Sequence, residues 1–228
     1  MKQEFWPRVL PFAVFMGFIG VQEGLVALVE ADWLSLSDQQ LLFLYPIKAV
    51  VVFALLVFFY RRYSELRLCD LHKYADTALS VLVGIGVFVL WINMDWDFAT
   101  IGESKGFDPT LIESDGAYNT LIAFRIFGAA LVVPIMEELF WRSFLLRYII
   151  NSDFSKVAIG AFAWPSFLIG AALFGLEHNL VLAGVMAGVA YSLLLYRTKS
   201  IVQCILAHAV TNFALGLYVL QSGNWQFW

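Results

Sequence analysis

Seven stretches of nearly uninterrupted apolar residues divide the chain, at residues 9–29, 41–60, 78–94, 118–150, 164–176, 180–196 and 201–220. Most have the length of about 20 residues that carries a helix across a bilayer. The stretch at 164–176 is short, so its helix is expected to borrow from residues 157–162 or to extend through His178. Pro165 favours a start at Trp164, because proline suits a first helical turn. The pattern predicts an all-α, polytopic transmembrane bundle of about seven spans, or eight if the long 118–150 segment is split. With no convincing internal repeat and no low-complexity linker, residues 1–228 read as one membrane domain.

Charge between the spans sets the expected orientation, since short basic loops stay on the cytoplasmic side. Lys2 and Arg8 begin the chain, Arg61, Arg62, Arg67 and Lys73 follow the second segment, and Arg197 and Lys199 follow the sixth. The alternate loops, 31–40 and 95–117, are mainly acidic. The N-terminus is therefore expected inside and the C-terminus outside. The 21 apolar residues 9–29 exceed a signal-peptide core and lack a clear small-residue cleavage site, so they read as a retained first helix.

Composition agrees: 61% hydrophobic and 14% charged residues are incompatible with an ordinary soluble core. The net charge of −4, with Lys and Arg scattered, gives no support for a nucleic-acid partner. Cys69 and Cys204 form neither a metal nor a redox spacing, and two free thiols are expected. Trp91, Trp96, Trp225 and Trp228 fall near span edges and read as interfacial anchors. Gly184 and Gly188 read as a small-xxx-small helix contact.

Ionisable residues inside apolar segments are costly, so each is a candidate for function. They cluster in three places: Glu137, Glu138 and Arg142; His178; and His208 with Asn212. Glu138 and Arg142, four apart, face each other on a helix and can neutralise one another. Glu137 projects about 100° away, leaving its carboxylate available across the bundle. Pro134, one turn earlier, is expected to kink the helix and free a backbone carbonyl. His208 and Asn212 share one face, where two donors suit a developing oxyanion. His178, from another segment, can join Glu137 in polarising a water. Counted from the basic ends at about 1.5 Å per residue, the four groups fall roughly 12–20 Å deep, in one slab near the midplane.

Other polar residues have simpler readings. Lys48, Gln22 and Glu23 are explained by snorkelling or loop pairing, and Arg125 by snorkelling to the outer surface. Glu177 is expected on another helix face from His178 and stays outside the core set.

Glu137-Glu138-xxx-Arg142, Phe174-xxx-His178 and His208-xxx-Asn212, in this order on three hydrophobic segments, resemble the motifs of the CAAX protease and bacteriocin-processing family, whose members are intramembrane proteases related to the type II CAAX prenyl endopeptidase. The likeness covers roughly residues 121–217, within a motif-bearing half at about 118–220. The run Glu-Glu-Leu-Phe-Trp-Arg is similar to an exosortase-associated, CAAX prenyl protease-related bacterial branch. The resemblance implies an intramembrane endopeptidase in which Glu137 and His178 activate water, His208 and Asn212 stabilise the oxyanion, and Glu138 with Arg142 supports them. It implies a peptide or membrane-anchored protein as substrate. The composition points to a bilayer as surroundings, and the small all-membrane architecture fits a bacterial inner membrane.

No Ser or Cys sits in a nucleophile motif. The expectation is catalysis without a cofactor. A zinc site of Glu137, His178 and His208 is the alternative, although HExxH is absent. A proton-coupled transporter and a non-catalytic membrane scaffold or immunity protein are the other readings, against which stand the missing paired repeats and the intact motifs.

Overall fold

The computed structural model describes residues 2–102 and 106–228; the side chains of Lys2 and Gln3, and residues 103–105 of the acidic loop, lie outside the described residues. The apolar runs become helices α1 (Lys2–Glu30), α2 (Asp38–Arg62), α3 (Tyr74–Trp91), α4 (Asp115–Ile150), α5 (Trp164–Leu176), α6 (Val181–Thr198) and α7 (Ile201–Ser222). All except α5 are long and apolar enough to cross a membrane. Among the described residues there is no β-strand, only an isolated bridge between Thr100 and Leu180. The protein is an all-α helical bundle, and its outer faces suit hydrocarbon: Phe58 is 77% exposed, and Leu82 and Leu168 are also exposed.

The 118–150 segment is not split; it lies in one helical run of 36 residues. Within it, π-helical turns at Gly128–Val132 and Leu139–Leu145 bracket the α-helical Val133–Glu138, which carries both glutamates. The first π turn ends for a local reason. Val133 N–H bonds to the Gly128 carbonyl, and the next bond of that register would need an N–H at position 134, where proline has none.

Small residues bring the helices close. A Cβ on Gly188 would sit 3.2 Å from Ala171 Cα, and one on Gly184 would sit 2.8 Å from Gly175 Cα, so the expected small-residue pair is the α5–α6 contact. Polar bonds add register between α3 and α7: Thr211 Oγ1 donates to the Gly84 carbonyl at 2.8 Å, and Ser80 Oγ donates to Gln203 Oε1 at 2.7 Å.

At the basic end, Arg8 is buried rather than displayed at the surface. It binds Glu65 through Nε at 2.7 Å and Nη2 at 2.6 Å, and Glu4 at 2.8 Å. Ser143 also donates to Glu65, tying this end of α1 to the α2–α3 loop and to α4. Cys69 is exposed, Cys204 is buried, and both are free.

Candidate active site

Helix α5 stops at Leu176, its 13 residues covering about 20 Å, less than the roughly 30 Å hydrocarbon thickness. It does not extend through His178. Glu177 caps the helix, and His178, Asn179 and Leu180 form the turn into α6. Ile101 N–H donates to the Asn179 carbonyl at 2.9 Å, so the loop after α3 holds this turn in place. Irregular backbone within a membrane bundle is tolerated where it lines a protein cavity.

The cavity is about 330 Å³ and is lined from all seven helices, the α5–α6 turn and the C-terminal residues Phe227 and Trp228. Glu137, His178, His208 and Asn212 all line it, as does Glu177. The four residues expected to work together therefore open onto one space. Glu177 departs from the sequence expectation because the helix has ended: the 100° step that would have separated it from His178 no longer applies. Trp141 Nε1 donates to Glu177 Oε2 at 3.0 Å and fixes it there.

Glu137 is 4% exposed, and its Oε2 has no hydrogen-bond partner among the described residues. A buried, unsatisfied carboxylate oxygen is costly, and facing a cavity it is placed to meet a water or a ligand. Its neighbour Glu138 turns the other way, with Oε1 3.2 Å from Arg142 Nη1 and 2.9 Å from His208 Nδ1. Glu138 thus joins α4 to α7, a role that i,i+4 spacing alone did not predict. The Arg142 guanidinium lies 4.3 Å from the centre of the Phe174 ring, and His208 stacks on Tyr191 at 5.0 Å. Tyr191 hydroxyl donates to Thr211 at 2.8 Å, closing the shell behind the imidazole.

The hydrogen bonds assign ring atoms. His178 Nδ1 is 2.7 Å from the Phe174 carbonyl, which only accepts, so Nδ1 carries the proton and Nε2 is left as the ring's other functional nitrogen. Asn212 Nδ2 donates to the Ala129 carbonyl at 2.8 Å, the carbonyl that Pro134 leaves without an N–H. One amide hydrogen of Asn212 remains for another acceptor.

Four side chains sit elsewhere than their positions in the sequence suggest. Arg125 does not snorkel to the surface; its guanidinium packs 4.4 Å from the centre of the Tyr45 ring and lines the cavity. Lys48 is neither snorkelling nor paired with a loop acid: it is 7% exposed and lies 4.3 Å from the Phe15 ring centre. Trp91 and Trp228 are more than interfacial anchors, since both line the cavity, Trp91 meeting His178 edge-on at 5.3 Å. Aromatic periodicity near a span edge carries no signal that separates the two uses. Among the described residues, no three His, Cys, Asp or Glu side chains gather in a way that could hold a metal ion.

Fold and site together define a polytopic membrane protein with a carboxylate–imidazole cavity inside its helical bundle. Residues 119–214 match the family model described as Type II CAAX prenyl endopeptidase Rce1-like, which bears out the resemblance drawn from the three motifs and supports an intramembrane protease of the CAAX type. No curated protein and no solved structure matched the chain.

Proposed function

We propose that this protein is an endopeptidase that hydrolyses a peptide bond of a membrane-anchored substrate with Glu137 as general base. The observation that carries the reading is the buried Glu137 carboxylate, with one oxygen unpaired, in the same cavity as two imidazoles and an amide. Glu137 takes a proton from a water that His178 Nε2 orients, and the water oxygen attacks the peptide carbonyl. The oxyanion forms against His208 Nε2 and the remaining Asn212 N–H. For His208 to donate there while its Nδ1–H binds Glu138, both ring nitrogens must carry protons, with the Glu138 carboxylate as counter-charge. When the C–N bond breaks, Glu137 returns its proton to the leaving amine, and the carboxylate is regenerated. Glu138 and Arg142 position His208 without touching substrate.

No cofactor enters this mechanism. The basic loops are proposed to face the cytoplasm, because short basic loops stay on that side, and the small all-membrane architecture supports a bacterial inner membrane as the location.

The test is cleavage of membrane-anchored peptides by purified protein in lipid, read by mass spectrometry, for wild type, Glu137→Gln and His178→Ala, with and without chelator. Both substitutions are expected to abolish cleavage, and chelation to leave it intact. Loss on chelation with rescue by zinc would replace this mechanism with a metal-dependent one. Cleavage by both variants at the wild-type rate would remove the proposed site.

A further inference from the structure

The cavity has a second end, away from Glu137, whose chemistry the reaction above does not use. Lys48 on α2 and Arg125 on α4 both line it, together with Tyr45 and Trp228. These four residues also line an adjoining cavity of about 130 Å³ toward the acidic loops, so they form a neck between the two spaces.

Two cations in this neck are expensive. Lys48 is nine-tenths buried, the charged group bearing on it is Arg125, and no carboxylate among the described residues pairs with either. Ring faces offset part of that cost: Lys48 Nζ is 5.1 Å and Arg125 Cζ 4.4 Å from the centre of the same Tyr45 ring. Two donors remain orphaned, since Arg125 Nε and Trp228 Nε1 are buried with no acceptor. Paired like charges with unused N–H groups, in a low-dielectric cleft, are completed by an anion that accepts several hydrogen bonds. Lys48 and Trp228 lie outside residues 119–214, so this end of the cavity is built partly from chain that the family model does not cover.

We propose that Lys48, Arg125 and Trp228 form a carboxylate-binding subsite that seats an anionic group of the peptide and thereby sets the position of the cut. The proposal rests on the endopeptidase reading above. Arg125 and Glu137 are twelve residues apart on α4, about 18 Å along the helix, and the side chains shorten that gap. An extended peptide covers the remaining distance in about three to five residues. The carboxylate is either the peptide's own C-terminus or an Asp or Glu side chain at that spacing, and both present the same two oxygens.

The test uses the full-length protein in nanodiscs and three matched membrane-anchored peptides: one with a free C-terminal carboxylate, one C-terminally amidated, and one amidated with Glu placed about four residues from the cut. Binding of fluorescent peptides to the Glu137→Gln variant is measured alongside KM and kcat of the wild type, so that the subsite is read independently of catalysis. We expect a carboxylate-bearing peptide to bind about tenfold or more tightly than the plain amide, with the effect in KM rather than kcat. Lys48→Met should erase the difference between the peptides, and Lys48→Arg, which keeps the charge, should retain it. Preference for the free C-terminus alone identifies the terminal carboxylate, and equal preference for internal Glu identifies a side chain. Equal binding of all three peptides overturns the subsite, even if cleavage itself depends on Glu137; cleavage without Glu137, with the preference intact, overturns the mechanism and leaves the subsite standing.

Discussion

Asn212 on α7 donates to the carbonyl of Ala129 on α4 at 2.8 Å, and that carbonyl is short of a partner because residue 134 is a proline. Proline thus creates an acceptor in the middle of a long apolar helix, and the asparagine of the third motif satisfies it. The bond holds α7 against the π turn that precedes Glu137, so one side chain both orients the helix and offers its second N–H to the cavity.

Structural and chemical uses of Asn212 can be separated. Asn212→Ala should destabilise the bundle by about 1–3 kcal/mol, the cost of a buried unsatisfied acceptor. Adding Pro134→Ala supplies an N–H on α4 and should recover much of that loss in thermal unfolding, while peptide cleavage stays impaired. Full recovery of cleavage in the double variant would show that Asn212 acts only through the backbone.

The Glu138–Arg142 pair is almost completely buried, so removing one charge strands the other. Glu138→Gln or Arg142→Met alone should cost about 3–5 kcal/mol, and the double variant should be less damaged than the sum of the two. A thermodynamic cycle on melting temperatures measures the coupling. Strict additivity would mean that the two groups are not paired.

Acid should loosen the basic end of the bundle. Burial alone would raise the Glu65 carboxyl, but hydrogen bonds from Arg8 and the Arg8 charge outweigh it and, with Ser143, hold it below the usual carboxylate range. A depressed folded-state value means that the stabilisation is complete above the unfolded value of about 4.3 and is lost as pH falls through the lower folded one. Wild-type melting temperature should fall below about pH 4, and Glu65→Gln should be less stable at neutral pH with a shallower decline in acid. Parallel curves for the two proteins would contradict the assignment.

Gly84 permits the α3–α7 approach: an added Cβ would lie 2.9 Å from Val210 Cβ and closer still to the Ala207 carbonyl oxygen. Gly84→Val should push α7 away, lower the melting temperature and weaken cleavage, because His208 and Asn212 ride on that helix. Gly86, with open space at the same position, is the control, and Gly86→Val should be far milder. Equal effects at the two positions would mean that close approach is not what Gly84 supplies.

Much of this was legible from residue order. Apolar run length gave the helices, because hydrocarbon demands that backbone polar groups bond within a segment. The i,i+4 spacing gave the Glu138–Arg142 pair and the common face of His208 and Asn212, since those relations are local to one helix. Pro134 announced a carbonyl without its N–H before any neighbour was known. The cavity-facing place of Glu177 was not legible, because it depends on α5 ending one residue before it. Nor was the His208–Glu138 bond, which joins residues 70 positions apart.

Lys48 shows the division most clearly. In the sequence it is a lysine within about two turns of the start of an apolar segment, and reaching for the interface is the cheapest use of its flexible stem. Only the packing of α2 against α1 and α4 closes that route and sets it beside Arg125. Periodicity along the chain determined which faces are apolar and which side chains share a helix face. The tertiary structure alone decided which polar faces meet, because the partners come from different helices and their distance is set by small-residue contacts, not by spacing in the chain.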